Sequence, residues 1–307
     1  MAEGGAFGER LVPSRPGRKE PQMVSRDPDA TCFPLGVSLH TLDREQRLDT
    51  IELLDGSSVK CVELWEPTFS KDEGFIRDAR RALAKAGVEP RTVHAAFGTS
   101  VDISSLDSAV RSAGIEAVGA ALDLAARVGA RMVVVHPSSE PIGNDSRGAR
   151  MEQSRRSIEA IADRVGEAGG RMAIELLPRT CLGRSAAELL ELLDGVDPET
   201  AGVCLDTNHL MDRFKSLPDV VHCLGPRLFA LHCSDYDGVD EQHWPPDLSP
   251  ARGARGVIDW AAFLAALRAV GFPGPFHYEA GLDGQTPAER LAFLEANFSQ
   301  LMDRNTR

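Results

Sequence analysis

A recurring set of acids and histidines carries the chemistry legible in this sequence: Glu63, His94, His136, Glu175, Asp206, His209, His232, Glu241, His243 and Glu279. Most of them close a short apolar run. Glu63 follows VKCV, His94 follows RTV, His136 follows RMVVV, and Glu175 follows RMAI. Asp206 follows AGVCL, with His209 three residues on; His232 follows RLFAL, and Glu279 follows PFHY. Glu241 and His243 lie in the longest irregular stretch, Ser234 to Gly256. A lone buried histidine is most often a satisfied core residue, and an acid at a strand end is often only a helix cap. Convergence changes that reading. Carboxylates and imidazoles meeting at the ends of apolar strands repel one another or stay unpaired unless a cation lies between them. Mixed oxygen and nitrogen donors suit a divalent metal, Mn²⁺ or Zn²⁺ first, with Co²⁺, Fe²⁺ or Mg²⁺ also compatible; the all-oxygen preference of Ca²⁺ fits poorly.

The elements that must position these groups alternate in texture. Runs at 35–39, 59–65, 91–97, 131–137, 171–177, 201–206, 227–233 and 275–281 are continuously apolar and rich in β-branched residues, as strands buried on both faces of a parallel sheet are. Between them lie segments with helical periodicity, such as DEGFIRDARRALAKAG, SRRSIEAIADRVGEAGG and DWAAFLAALRAVG, several ending in a helix-closing glycine. Strand–helix alternation repeated eight times predicts an α/β fold, a single-domain (β/α)₈ TIM barrel over residues 35–307. No Gly-rich phosphate loop follows the first run, which argues against a doubly wound sheet. Residues 1–34, dominated by Gly, Pro and charge, read as a disordered lead-in without the apolar core of a secretory signal.

Composition narrows the partners. The net charge of −12 gives no basic face for general nucleic-acid or anionic-membrane binding. No apolar run approaches the roughly 18 residues a membrane span needs. The scattered cysteines form no C-x-x-C pair, which fits free thiols in a reducing compartment. The expectation is a cytoplasmic protein acting on a small molecule, with a homo-oligomer compatible with the sequence. His40, just past the first strand, reads equally as a substrate contact or a surface residue, His222 as a helical residue and His277 as a barrel-interior one. Trp65 and Trp244 are candidates for an apolar wall, and Arg179, Arg252 and Arg255 for anion contacts, although a solvated loop is the plainer reading of each arginine.

The segments VHPSS, IELLPRT, LDTNH, LHCSDYDG and HYEAG, with EQHW and RGARGVIDW between the last two, resemble the xylose isomerase-like TIM barrels, a superfamily of sugar isomerases and epimerases that also contains endonuclease IV. The resemblance covers nearly everything after Leu35. By likeness to the ketose 3-epimerases it implies one metal held by Glu175, Asp206, His232 and Glu279. Glu175 and Glu279 would be the proton-transfer pair acting on a sugar or sugar-like polyol. His209, with His94, Glu63 and His136, would contact substrate. Those epimerases place an arginine six residues after the strand-seven histidine, where this chain has Gly238. By likeness to endonuclease IV, His94, His136, His209, Glu241 and His243 become further ligands of a three-zinc phosphodiesterase for abasic DNA. The acidic DYDGVDE loop opposes that reading, and dehydration of a related substrate is a further alternative within the superfamily.

Overall fold

The computed structural model describes residues 33–239, 241–246, 256–282 and 284–305. Apart from Phe33 and Pro34, the expected lead-in lies outside the described residues, as do Arg252 and Arg255. Eight strands run in the order expected: β1 Leu35–Ser38, β2 Cys61–Trp65, β3 Glu89–His94, β4 Met132–Val135, β5 Arg171–Glu175, β6 Ala201–Asp206, β7 Leu228–His232 and β8 Phe276–Tyr278. All neighbours pair in parallel, β7-β6-β5-β4-β3-β2-β1-β8. Cys233 and Tyr278 bridge β7 to β8, and Cys233 N–H donates to the His277 carbonyl at 2.7 Å, which nearly closes the ring. Parallel strands buried on both faces need no polar alternation, and the wholly buried β4 (MVVV) and β6 (AGVCLD) show why those runs read so clearly.

Around the barrel lie α1 Leu39–Leu42, α2 Leu48–Glu52, α3 Glu73–Ala86, α4 Ser108–Val128, α5 Asn144–Glu167, α6 Ala186–Leu192, α7 Leu217–Leu224, α8 Trp260–Ala269 and α9 Pro287–Asn305. Helix α3 shows how the sequence sets an element. Asp72 caps it by accepting from Phe75 N–H, Gly87 closes it at φ 67°, and Ile76, Ala79 and Leu83 form its buried stripe. Each Ile, Leu or Val so buried contributes roughly 1.5–3 kcal/mol. Helix α5 starts ten residues before the expected Ser154. Its first turns bury nothing apolar; Arg147 holds them to the carbonyls of Thr180 and Cys181, and Arg150 to that of Ser139. Turns tied down by guanidinium-to-carbonyl bonds carry no apolar stripe to read; that stripe, Ile158, Ile161 and Val165, starts only further along α5.

Inside the barrel, Met132, Val134, Ala173, Cys204 and Ala230 form a small apolar layer. The acids and imidazoles stand at the C-terminal ends of the same strands. No helix among the described residues is long and apolar enough to cross a membrane, and the described cysteines are free.

Candidate functional site

Three strand ends and one loop build the centre of the site. Glu175 ends β5, Asp206 ends β6, His232 ends β7, and Glu279 directly follows β8. One donor atom from each lies within 4.8 Å of the other three. Two further sets share members with this one: His94, His136 and Glu175, and Asp206, His209 and His243. Every sequence-expected residue except Glu63 and Glu241 thus falls into one of three overlapping sets that could hold a metal.

The outward nitrogens of His94, His209 and His232 are already occupied. His94 Nδ1 is 2.9 Å from the Ala95 carbonyl, and His209 Nδ1 is 2.8 Å from the Leu176 carbonyl. A carbonyl only accepts, so each Nδ1 carries the hydrogen. Each Nε2 then turns inward, 3.0 Å from Glu175 in one case and 3.3 Å from Glu241 in the other. In His232 the roles reverse: Nε2 donates to Glu63 at 3.2 Å, while Nδ1 stands 2.7 Å from Glu279 and 3.4 Å from Glu175. A ring whose far N–H is pinned and whose near nitrogen faces carboxylates is arranged as a metal ligand. The donor chemistry passes a second test. Asp206 Oδ2 is buried with no hydrogen-bond partner and His232 Nδ1 faces only the carboxylates of Glu279 and Glu175, an arrangement that a divalent cation among the four donors would satisfy.

The electrostatics follow from this crowding. Burial alone would raise the Glu175 carboxyl, but the imidazoles of His136 and His232 override it and hold the acid well below the usual carboxylate range. Glu279 is likewise held down, burial being outweighed by His232. Burial opposes protonation of His209, yet Asp206 and Glu241 raise it to about 10. Without a metal the imidazoles supply the positive charge that offsets the carboxylates, a role a divalent cation would take over.

Glu63 sits elsewhere than its rim position in the sequence suggested. Strand β2 runs on to Trp65, so Glu63 lies two residues below the strand end, buried, accepting from Thr92 Oγ1 at 2.9 Å and from His232. It does not line the cavity; it accepts from His232 Nε2 and so fixes that ring's orientation. Glu241 joins His209 and His243 (3.3 and 3.6 Å) and is also bound by Arg179, which is paired in turn with Glu140. His277 packs in the barrel interior as expected, and His222 is exposed on α7.

A cavity of about 290 Å³ opens above the donors, lined by His94, His136, Glu175, His209, His243 and Glu279 and by side chains the sequence did not single out. Phe97 stacks on His136 with ring centroids 3.9 Å apart and remains 48% exposed at the mouth. Trp65 packs on His94 and Phe97, behind the residues that line the cavity. Trp244 instead pairs with Asp235 and donates to Asp237. Arg179 lines the cavity but is neutralised by two carboxylates. Phe97 ends a run that read as strand, so its apolarity looked like core; only the termination of β3 at His94 frees it.

The fold and this rim define a TIM barrel whose C-terminal face carries a layer of convergent metal-capable donors. The chain belongs to the xylose isomerase-like TIM barrel family, which it matches over residues 48–298. It is 26% identical over 217 residues to a ketose 3-epimerase of Arthrobacter globiformis, covering 67% of this chain and 68% of that protein. It is 27% identical over 228 residues to a probable endonuclease 4 of Mycobacterium leprae, covering 72% and 84%. The structure of D-psicose 3-epimerase with D-tagatose from Clostridium cellulolyticum H10 superposes with a TM-score of 0.69 at 18% identity, covering 89% of this chain and 98% of that one.

Proposed function

We propose that the protein is a divalent-metal-dependent isomerase or epimerase of a sugar or sugar-like polyol, working by proton transfer at the carbon next to a carbonyl. The observation that carries this reading is the four-donor set Glu175, Asp206, His232 and Glu279, in which the buried Asp206 Oδ2 has no hydrogen-bond partner. Mn²⁺ or Zn²⁺ bound by those residues would polarise the substrate carbonyl and acidify the neighbouring C–H. Glu175 and Glu279 stand at opposite sides of the donor set, on β5 and after β8, and both are held as carboxylates, the form a base requires. One, as the carboxylate, removes the proton; the other, having first taken a proton from solvent, delivers it to the far face of the carbon. The first then releases its proton to solvent, which resets the pair. Glu63 keeps His232 in the tautomer that presents Nδ1. Phe97, backed by Trp65, gives the sugar's C–H face an apolar wall, and His209 with Glu241 meets its hydroxyls. A 290 Å³ cavity lies at the lower end of small-molecule sites and favours a monosaccharide over a polymer. The epimerase names of the relatives agree with this reading.

The decisive experiment incubates the Mn²⁺- or Zn²⁺-loaded protein with a panel of keto-sugars in deuterated water. Incorporation of deuterium next to the carbonyl is the expected result; a metal-loaded protein that exchanges no such proton across the panel overturns the proposal.

The two flanking donor sets favour a second reading, hydrolysis of a phosphodiester by a metal cluster. The −12 charge and the carboxylate-neutralised Arg179 oppose a DNA grip. Three ions per chain with salt-sensitive affinity for abasic DNA would support it; one ion and no such affinity would dismiss it.

A further inference from the structure

Beside the donor layer, a second cavity of about 160 Å³ opens between the chain after β1 and the chain after β8, and it shares His243 and Glu279 with the first. It is below the roughly 300 Å³ at which whole-ligand sites begin, so it suits one end of a molecule whose remainder occupies the neighbouring space. Its lining brings Arg44 and Arg290 together with Thr41, and Glu279 is the only carboxylate among the described lining residues. In a chain at −12 such a composition is unusual, because arginines here commonly find acids: Arg47 pairs with Asp43, Arg147 with Glu188, and Arg150 with Asp102. Arg44 and Arg290 make no ion pair among the described residues.

The cationic end is also partly built. Arg290 Nη1 donates to the carbonyls of Thr41 and Leu42 at 3.2 and 3.0 Å, which fixes the guanidinium, while its Nε is buried with no hydrogen-bond partner. Thr41 Oγ1 accepts from Ala280 N–H at 3.2 Å, leaving its own O–H to donate. The charge of Glu279 is turned toward His232, 2.7 Å away, so it opposes an incoming anion less than a free carboxylate would.

We infer that this second cavity is an anion subsite that takes the terminal phosphate or carboxylate of the substrate, placing its reacting carbon between Glu175 and Glu279; the inference rests on the proton-transfer reading above. Two guanidinium groups recognise either oxyanion through paired N–H donors.

The test has a binding arm and a kinetic arm, both on the metal-loaded full chain. Inorganic phosphate and acetate are titrated by calorimetry into wild type, Arg44→Met and Arg290→Met, with circular dichroism checking the fold. The expected result is that at least one anion binds about tenfold more weakly to Arg44→Met, whose side chain is exposed and holds up no backbone. Loss confined to phosphate assigns a phosphate ester; loss confined to acetate assigns a sugar acid. Unchanged affinity for both anions overturns the subsite. In the kinetic arm, a ketohexose, its terminal phosphate and the corresponding keto-acid are compared by deuterium exchange. The subsite predicts a KM about tenfold lower for an anionic form, raised again by Arg44→Met with less effect on kcat. A preference for the neutral ketose overturns it and leaves the proton-transfer reading standing. Arg44-dependent anion binding without exchange on any sugar keeps the subsite and removes the proton-transfer reading.

Discussion

Asp206 and Asp235 lie near the ends of neighbouring strands and are equally buried, at 0% and 1% exposure. Their surroundings are opposite. Asp235 accepts from the N–H groups of Tyr236, Val257 and Ile258 and from Trp260 Nε1 at 2.7–3.2 Å. Asp206 accepts from Asn208 and His209 N–H through Oδ1, and its Oδ2 has no hydrogen-bond partner. A buried carboxylate costs several kcal/mol unless donors or charges compensate it. At Asp235 the fold supplies the compensation, and the residue pins the chain on either side of the long loop after β7. At Asp206 part of it is withheld, and the bare oxygen points into a convergent donor set. His277 is a third case. Its Nε2 is also bare, but it belongs to none of the donor sets, so its burial is a cost without a site.

If that contrast separates chemistry from architecture, variants should divide the same way. The largest effect belongs to Glu279→Gln, which removes one of the two carboxylates proposed for proton transfer: kcat falls by about 10²–10⁴-fold with unchanged circular dichroism. A variant turning over at the wild-type rate would break the pairing of Glu175 with Glu279. Asp235→Ala leaves buried N–H groups without an acceptor and should lower unfolding free energy by roughly 3–5 kcal/mol, read from urea midpoints.

The next effect is set by pH. Burial lowers the His277 imidazole to about 4, below its ordinary 6.5, so the fold favours the neutral ring. The stability tied to neutrality is complete above about pH 6.5 and lost as pH falls to about 4, on the order of 3 kcal/mol. The wild type minus His277→Gln difference in stability should slope through that window; parallel curves would refute it. Gly256→Ala would set a Cβ 1.9 Å from Asp235 Oδ2 and should cost about 1–3 kcal/mol. The smallest stability change is expected for Asp206→Asn, which keeps an oxygen for Asn208 and His209: less than about 1 kcal/mol in metal-stripped protein. Its metal content after dialysis should nevertheless fall to background, and full retention would remove Asp206 from the ligand set.

The barrel was legible because each parallel strand announces itself as a continuous apolar run, and the donors because they interrupt those runs at their ends. Depth was not legible. Glu63 and Trp65 share the same side-chain parity on β2, and nothing local tells which of them stands at the rim and which lies one layer below. Placement by tertiary contact was hidden as well. Arg179 read as a solvated loop residue, yet Glu140 and Glu241 draw it over the cavity from distant segments. The early start of α5 escaped because arginines, not an apolar stripe, tie it down.

The clasp at Asp235 has an evolutionary consequence. Its backbone pairs with Trp244 as the chain departs, and its carboxylate receives Val257 and Ile258 as the chain returns. Whatever is inserted between those two points closes on the same clasp, and doubling its length adds only about 0.6 kcal/mol of closure entropy. Glu241 and His243 lie upstream of the junction and keep their register. A change of chain length after Pro246, whose carbonyl accepts from Asn297, and before Gly256 therefore need not shift the donors upstream.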